Sequence, residues 1–147
     1  SGQNDAAVTY EPYLSTVRAN PAAGKILATT LDFPHIMDTV GCAPEWLKAN
    51  PKAAKALADS YFEALEMIKA DPAKSNDIMG SAVKQTGEAF AKSSNYLRWQ
   101  DKAANQKFFA GELQQFMKDA AAILLEAGVI RKLPENYNAM FDDSFIK

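Results

Sequence analysis

Apolar and polar positions follow two different periods along this chain, and the change falls near residues 42–46. Ahead of it the apolar runs are short and broken by Pro12, Pro21, Gly24, Pro34 and Gly41, the punctuation of short strands and turns. Residues 5–10, Asp-Ala-Ala-Val-Thr-Tyr, predict a first strand. The step Tyr10-Glu11-Pro12-Tyr13 should end it, because proline removes a ladder donor and restricts the residue before it. Residues 25–30 and 36–40 are the next predicted strands, and one helix-like turn is expected among them.

From Pro44 onward the period is helical. Asn50 before Pro51 and Asp71 before Pro72 each place a good N-cap residue ahead of a proline at the first helical position, so two helices should begin there. In the first of them Ala54, Leu57, Ala58, Tyr61, Phe62, Leu65 and Ile68 recur every three or four residues, an apolar stripe. Lys52, Lys55, Asp59, Glu63 and Glu66 fall largely elsewhere. Thr86 and Asp101 are further N-cap candidates. A helix over residues 112–127 should stop at Gly128, where a left-handed glycine followed by the apolar Val129 and Ile130 makes a common terminator. Beyond it Tyr137, Met140, Phe141, Phe145 and Ile146 are spaced among polar residues, as expected of a tail docked on helices. No repeat or heptad pattern appears.

Composition narrows the partners. At 147 residues and 48% hydrophobic, the chain is the size of one domain with enough apolar material, on composition, to fold alone. Its 16 Lys and Arg against 18 Asp and Glu leave a net charge of -2 without a basic block, which argues against a nucleic-acid partner. No apolar run approaches the ~20 residues of a bilayer span. The opening Ser1-Gly2-Gln3-Asn4-Asp5 lacks the charged and apolar regions of a signal peptide, as in a mature, trimmed or truncated chain. The single cysteine, Cys42, permits no internal disulfide and decides nothing about compartment.

Candidate chemistry is sparse. His35 and Cys42 are near enough in sequence for a nucleophile–base pair, but a loop histidine and a small buried thiol are the simpler reading. Gly80, Gly87 and Gly111 are isolated and match no phosphate-binding loop, so no nucleotide cofactor, and no other cofactor or metal, is expected. The pairs Glu63 with Glu66 and Asp142 with Asp143 read as solvated faces or caps. Trp99 is a stacking platform or, more simply on its spacing, an inter-helix aromatic.

Tyr10-Glu11-Pro12-Tyr13 is more informative, since it sets two rings and a carboxylate at the end of a predicted strand, where open α/β sheets bind ligands. A carboxylate there can hold an ammonium, and rings can enclose an apolar or cationic part. A buried tyrosine and an exposed turn glutamate remain the plainer alternative. Asp38, inside the apolar run of residues 36–40, is the second candidate: it needs a partner if it points inward and none if it faces water.

The run Asp5-Ala6-Ala7-Val8-Thr9-Tyr10-Glu11-Pro12-Tyr13-Leu14-Ser15 resembles a segment of solute-binding proteins for nitrate, aliphatic sulfonates, taurine and thiamine-pyrimidine precursors. Lys25-Ile26-Leu27, Asp32-Phe33-Pro34-His35-Ile36-Met37-Asp38 and Trp46-Leu47-Lys48-Ala49-Asn50-Pro51 continue the resemblance. So do Tyr61-Phe62-Glu63-Ala64-Leu65, Ile68-Lys69-Ala70-Asp71-Pro72 and Asp143-Ser144-Phe145-Ile146. The resemblance spans the chain but only the C-terminal half of the family's usual length. It implies an α/β fold, here a partial periplasmic-binding-protein type II fold, mostly helical with a few short strands. Residues 1–32 would end the second lobe, 33–43 would form an inter-lobe crossing strand, and 44–147 the helical part of the first lobe.

The implied function is that of the extracytoplasmic, periplasmic-type binding component of an importer, not an enzyme, handing a small ligand to a membrane permease by closure of two lobes. Tyr10, Glu11, Tyr13 and Asp38 would face the ligand, with Tyr10 standing where the family usually has tryptophan. Strands lacking their partners are expected to pair with another copy in a strand-paired or domain-swapped homodimer. The alternatives are a sensor or protein-interaction module, and a pyrimidine-precursor synthase-like enzyme, for which a cysteine-rich metal motif would be expected and only Cys42 is present.

Overall fold

The structure, a computed structural model, describes residues 3–34 and 36–147. Helices begin at Pro44, Pro51 and Pro72 as expected, although the Asn50 side chain does not cap the second of them and instead donates to the Trp46 carbonyl at 3.0 Å. In chain order the α-helices are α1 Tyr13–Ala19, α2 Pro44–Ala49, α3 Pro51–Ala70, α4 Pro72–Ala82, α5 Gly87–Ser94, α6 Lys102–Lys107 and α7 Leu113–Glu126. Short 3-10 turns lie at Pro21–Ala23 and Tyr137–Met140, and a π turn at Phe108–Glu112 joins α6 to α7. The chain divides into two compact units, residues 1–34 with 73–98 and residues 35–72 with 99–147.

The expected α/β fold is overturned: the protein is helical, 58% helix, with no strand among the described residues. Residues 5–10, 25–30 and 36–40 do not become strands. A strand is defined by its partner, and none of residues 4–9, 25–28 and 36–42 makes a backbone–backbone hydrogen bond to another described residue. The step at Tyr10-Glu11-Pro12-Tyr13 does not end a strand either. It opens α1, where the Leu14 amide donates to the Tyr10 carbonyl at 3.2 Å and the Thr16 amide to that of Pro12 at 3.4 Å.

In the first unit α4 and α5 form a hairpin built on small residues. Gly80 is buried, its carbonyl accepts from the Gln85 amide at 2.8 Å, and a Cβ added there would lie 2.9 Å from the Thr86 carbonyl oxygen. The Thr86 hydroxyl caps α5 by accepting from the Ala89 amide at 3.2 Å. Ser75 and Ser93 are the buried polar residues of this unit, so its interior is made of small side chains rather than large apolar ones.

The second unit carries the buried apolar residues. They are Ala54 and Leu65 on α3 and Leu113 and Ala121 on α7, among the described residues. The stripe read along α3 is therefore narrower than its spacing suggested: Leu57 and Tyr61 are exposed, while Ala58, Phe62 and Ile68 are half-buried. Asp101 caps α6, accepting from the Ala104 amide at 2.9 Å. Gly128 ends α7 at φ 69°, with its amide donating to Leu125 at 3.0 Å and that of Val129 to Leu124 at 2.9 Å. The tail docks as expected, Phe141 against Phe109 at 5.4 Å and the Ile146 carbonyl accepting from Gln106 Nε2 at 3.0 Å.

Candidate functional site

The residues singled out around Pro12 meet at the N-terminal end of α1, in the first unit. Tyr10 and Tyr13 touch edge to face with ring centroids 5.6 Å apart. Three residues separate them, so one turn of backbone entering the helix stacks their Cβ atoms on one side. Both rings are open to solvent, 71% and 59% exposed, and so available to a ligand. The plainer alternative of a buried tyrosine is not what the structure has at either position.

Glu11 is already occupied by partners within α1. Its carboxylate pairs with the Arg18 guanidinium and accepts from both the Ser15 hydroxyl at 2.7 Å and the Ser15 amide at 3.0 Å. Partial burial pushes the carboxyl up, but the bonds from Arg18 and Ser15 and the Arg18 charge outweigh it and hold Glu11 below the usual carboxylate range. Glu11 is thus a fixed, charge-compensated anion. Arg18 in turn lies over the Tyr96 ring at 3.7 Å, and the Ser15 and Ser93 hydroxyls are 3.4 Å apart. These contacts tie α1 to α5 and its C-terminal flank and fix the direction in which the tyrosines point.

Asp38 lies in the second unit, exposed in a stretch without secondary structure, and so presents its carboxylate to water rather than to a strand neighbour. Cys42 is a free, exposed thiol, which corrects the expectation of a small buried one. His35, its proposed base, lies outside the described residues. The paired carboxylates are surface groups: Glu66 pairs with Lys69 at 2.7 Å, Asp143 with Lys147 at 3.0 Å, and Asp142 accepts from the Ser144 amide at 2.9 Å. Trp99 is 44% exposed.

Two features escaped the sequence reading. Arg18 is the first, although Glu11 and Arg18 are seven residues apart, two turns of a helix, and that spacing was a usable signal. The second is an open groove of about 640 Å³ in the second unit, lined by the apolar Phe62, Leu65 and Met67 and by charged groups of both signs, among them Glu63, Asp101 and Lys102. Among the described residues no three His, Cys, Asp or Glu side chains converge on a metal-sized point, and no helix is long and apolar enough to cross a membrane. No family model, curated protein or solved structure matches the chain.

Proposed function

We propose that this chain is the ligand-facing C-terminal portion of an extracytoplasmic solute carrier of the nitrate, sulfonate and taurine importer type. In this reading Tyr10 and Tyr13 line one wall of the ligand site, and the ligand passes to a membrane permease. The observation that carries it is the exposed Tyr10–Tyr13 pair, set within the very segment that resembles such carriers. A ring pair of this kind contributes area and edge-directed polarity at small entropic cost, as ligand walls require. Glu11 supports the site as a positioning residue, since Arg18 and Ser15 already satisfy its carboxylate. That compensation removes the net negative charge that would repel a small anion, which favours an anionic or zwitterionic ligand over a simple cation.

The experiment is a thermal-shift screen of the natural gene product against sulfonates, nitrate, taurine and pyrimidines, repeated with Tyr10→Ala. One class should raise the melting temperature, and the shift should shrink in the variant. No shift with any class would overturn the carrier reading. A second reading, a protein-interaction module, draws on the partly apolar groove in the second unit. It is favoured if the gene product binds none of these solutes and its coding sequence runs on into a signalling domain.

A further inference from the structure

The planes of Tyr10 and Tyr13 stand at 83° with ring centroids 5.6 Å apart, so the pair forms a right-angled corner walled by one face of each ring. The negative side of an aromatic quadrupole is its face, and two faces turned into one corner favour a cation there. The corner is also held in place. The Tyr10 carbonyl accepts from the Leu14 amide at 3.2 Å, and the Glu11–Arg18 pair, with Arg18 over the Tyr96 ring at 3.7 Å, ties α1 to the α5 side. Walls set before a ligand arrives cost little to order on binding.

Hydrogen bonding around the rings decides which cation. A primary ammonium carries three N–H donors that need acceptors once water is displaced. Ring faces supply no such acceptor, and the carboxylate of Glu11, between the two tyrosines in sequence, is taken by Arg18 and by the Ser15 hydroxyl and amide. A quaternary ammonium has no N–H to satisfy and lays its methyl groups directly on the ring faces. Arg18 offsets the charge of Glu11, so no net negative charge holds a simple cation, and a ligand that carries its own anion suits the corner better.

We infer that the Tyr10–Tyr13 corner receives a quaternary ammonium, and that the ligand of this site is a zwitterion with a fully methylated nitrogen at one end and an anion at the other. The inference rests on the carrier reading for the site and names the ligand class within it. Both rings are more than half exposed, so the methylated end reaches them from solvent without any rearrangement of α1.

The test compares N,N,N-trimethyltaurine, taurine, and the carbon isostere in which a tert-butyl group replaces the trimethylammonium. Each is titrated into the whole chain and followed by proton NMR on the probe and on the tyrosine rings. Trimethyltaurine should bind at least about fivefold more tightly than either of the others, with its methyl protons moved upfield by the ring currents. Tyr10→Leu and Tyr13→Leu should each remove that preference with helical circular dichroism unchanged, and Tyr10→Phe, which keeps the ring face, should retain it. Taurine or the isostere binding as tightly as trimethyltaurine would overturn the inference and leave the carrier reading in place, since a sulfonate would still be bound. A preference that survives both leucine variants would overturn it too. Binding of no probe would overturn the inference, and the carrier reading would then stand or fall on its own screen of nitrate and pyrimidines.

Discussion

Replacing Arg18 with methionine keeps an aliphatic stem and removes the guanidinium that holds Glu11 and covers Tyr96. The side chains of Arg18 and Glu11 are only 26% and 16% exposed, so the pair lies between a surface ion pair and a buried one. Surface pairs contribute about 0–1 kcal/mol and breaking buried pairs costs about 3–5 kcal/mol, which places this pair at about 1–2 kcal/mol. The contact with Tyr96 adds about 0.5–1 kcal/mol. The total is about 2 kcal/mol, a roughly thirtyfold increase in local opening. The assay is native-state hydrogen exchange at the amides of α5, in the wild type, Glu11→Gln, Arg18→Met and the double variant, at one protein concentration because association adds to apparent stability.

The same cycle has a pH signature. Glu11 is held below its ordinary value, so its contribution is fully present above about pH 4.3 and is lost as pH falls through the lowered folded-state value. Coupling between the two substitutions should therefore be large at neutral pH and vanish in acid. Exchange in Arg18→Met within twofold of wild type at neutral pH would refute the reasoning. Strict additivity of the two substitutions would refute it equally.

Other outcomes follow from single contacts. Asp101→Ala removes the acceptor for the Ala104 amide and should cost about 1 kcal/mol, seen as faster exchange in α6, while Asp101→Asn should restore most of it. Gly80→Ala sets a methyl 2.9 Å from the Thr86 carbonyl oxygen, a backbone atom that must move, and should lower stability by about 1–3 kcal/mol in urea unfolding. Gly41→Ala, with open space at its Cβ and no left-handed φ, is the control and should not.

The helical part was legible because its signals are local. Pro44, Pro51 and Pro72 start helices, Thr86 and Asp101 cap them, and Gly128 stops one, each through contacts within a few residues. Residues 5–10, 25–30 and 36–40 carry strand-like alternation, but alternation specifies a face and not the neighbour that makes a strand. Without that neighbour they take no regular secondary structure, and the expected α/β fold does not form. The candidate site divides in the same way. Tyr10 and Tyr13 meet through local spacing and were found. The partners of Arg18 and Ser15 on the α5 side, Tyr96 and Ser93, lie some eighty residues along the chain, and no local pattern points to them.

The helices form through local signals, while residues 25–28 and 36–40 have no backbone partner among the described residues. Hydrogen–deuterium exchange read by peptide, at dilute and at concentrated protein, tests it directly. The account predicts slow exchange in α3 and α7 and fast exchange over residues 25–28 and 36–40 at both concentrations. Protection of those stretches at the greatest dilution, or helices exchanging as fast as they do, would contradict it.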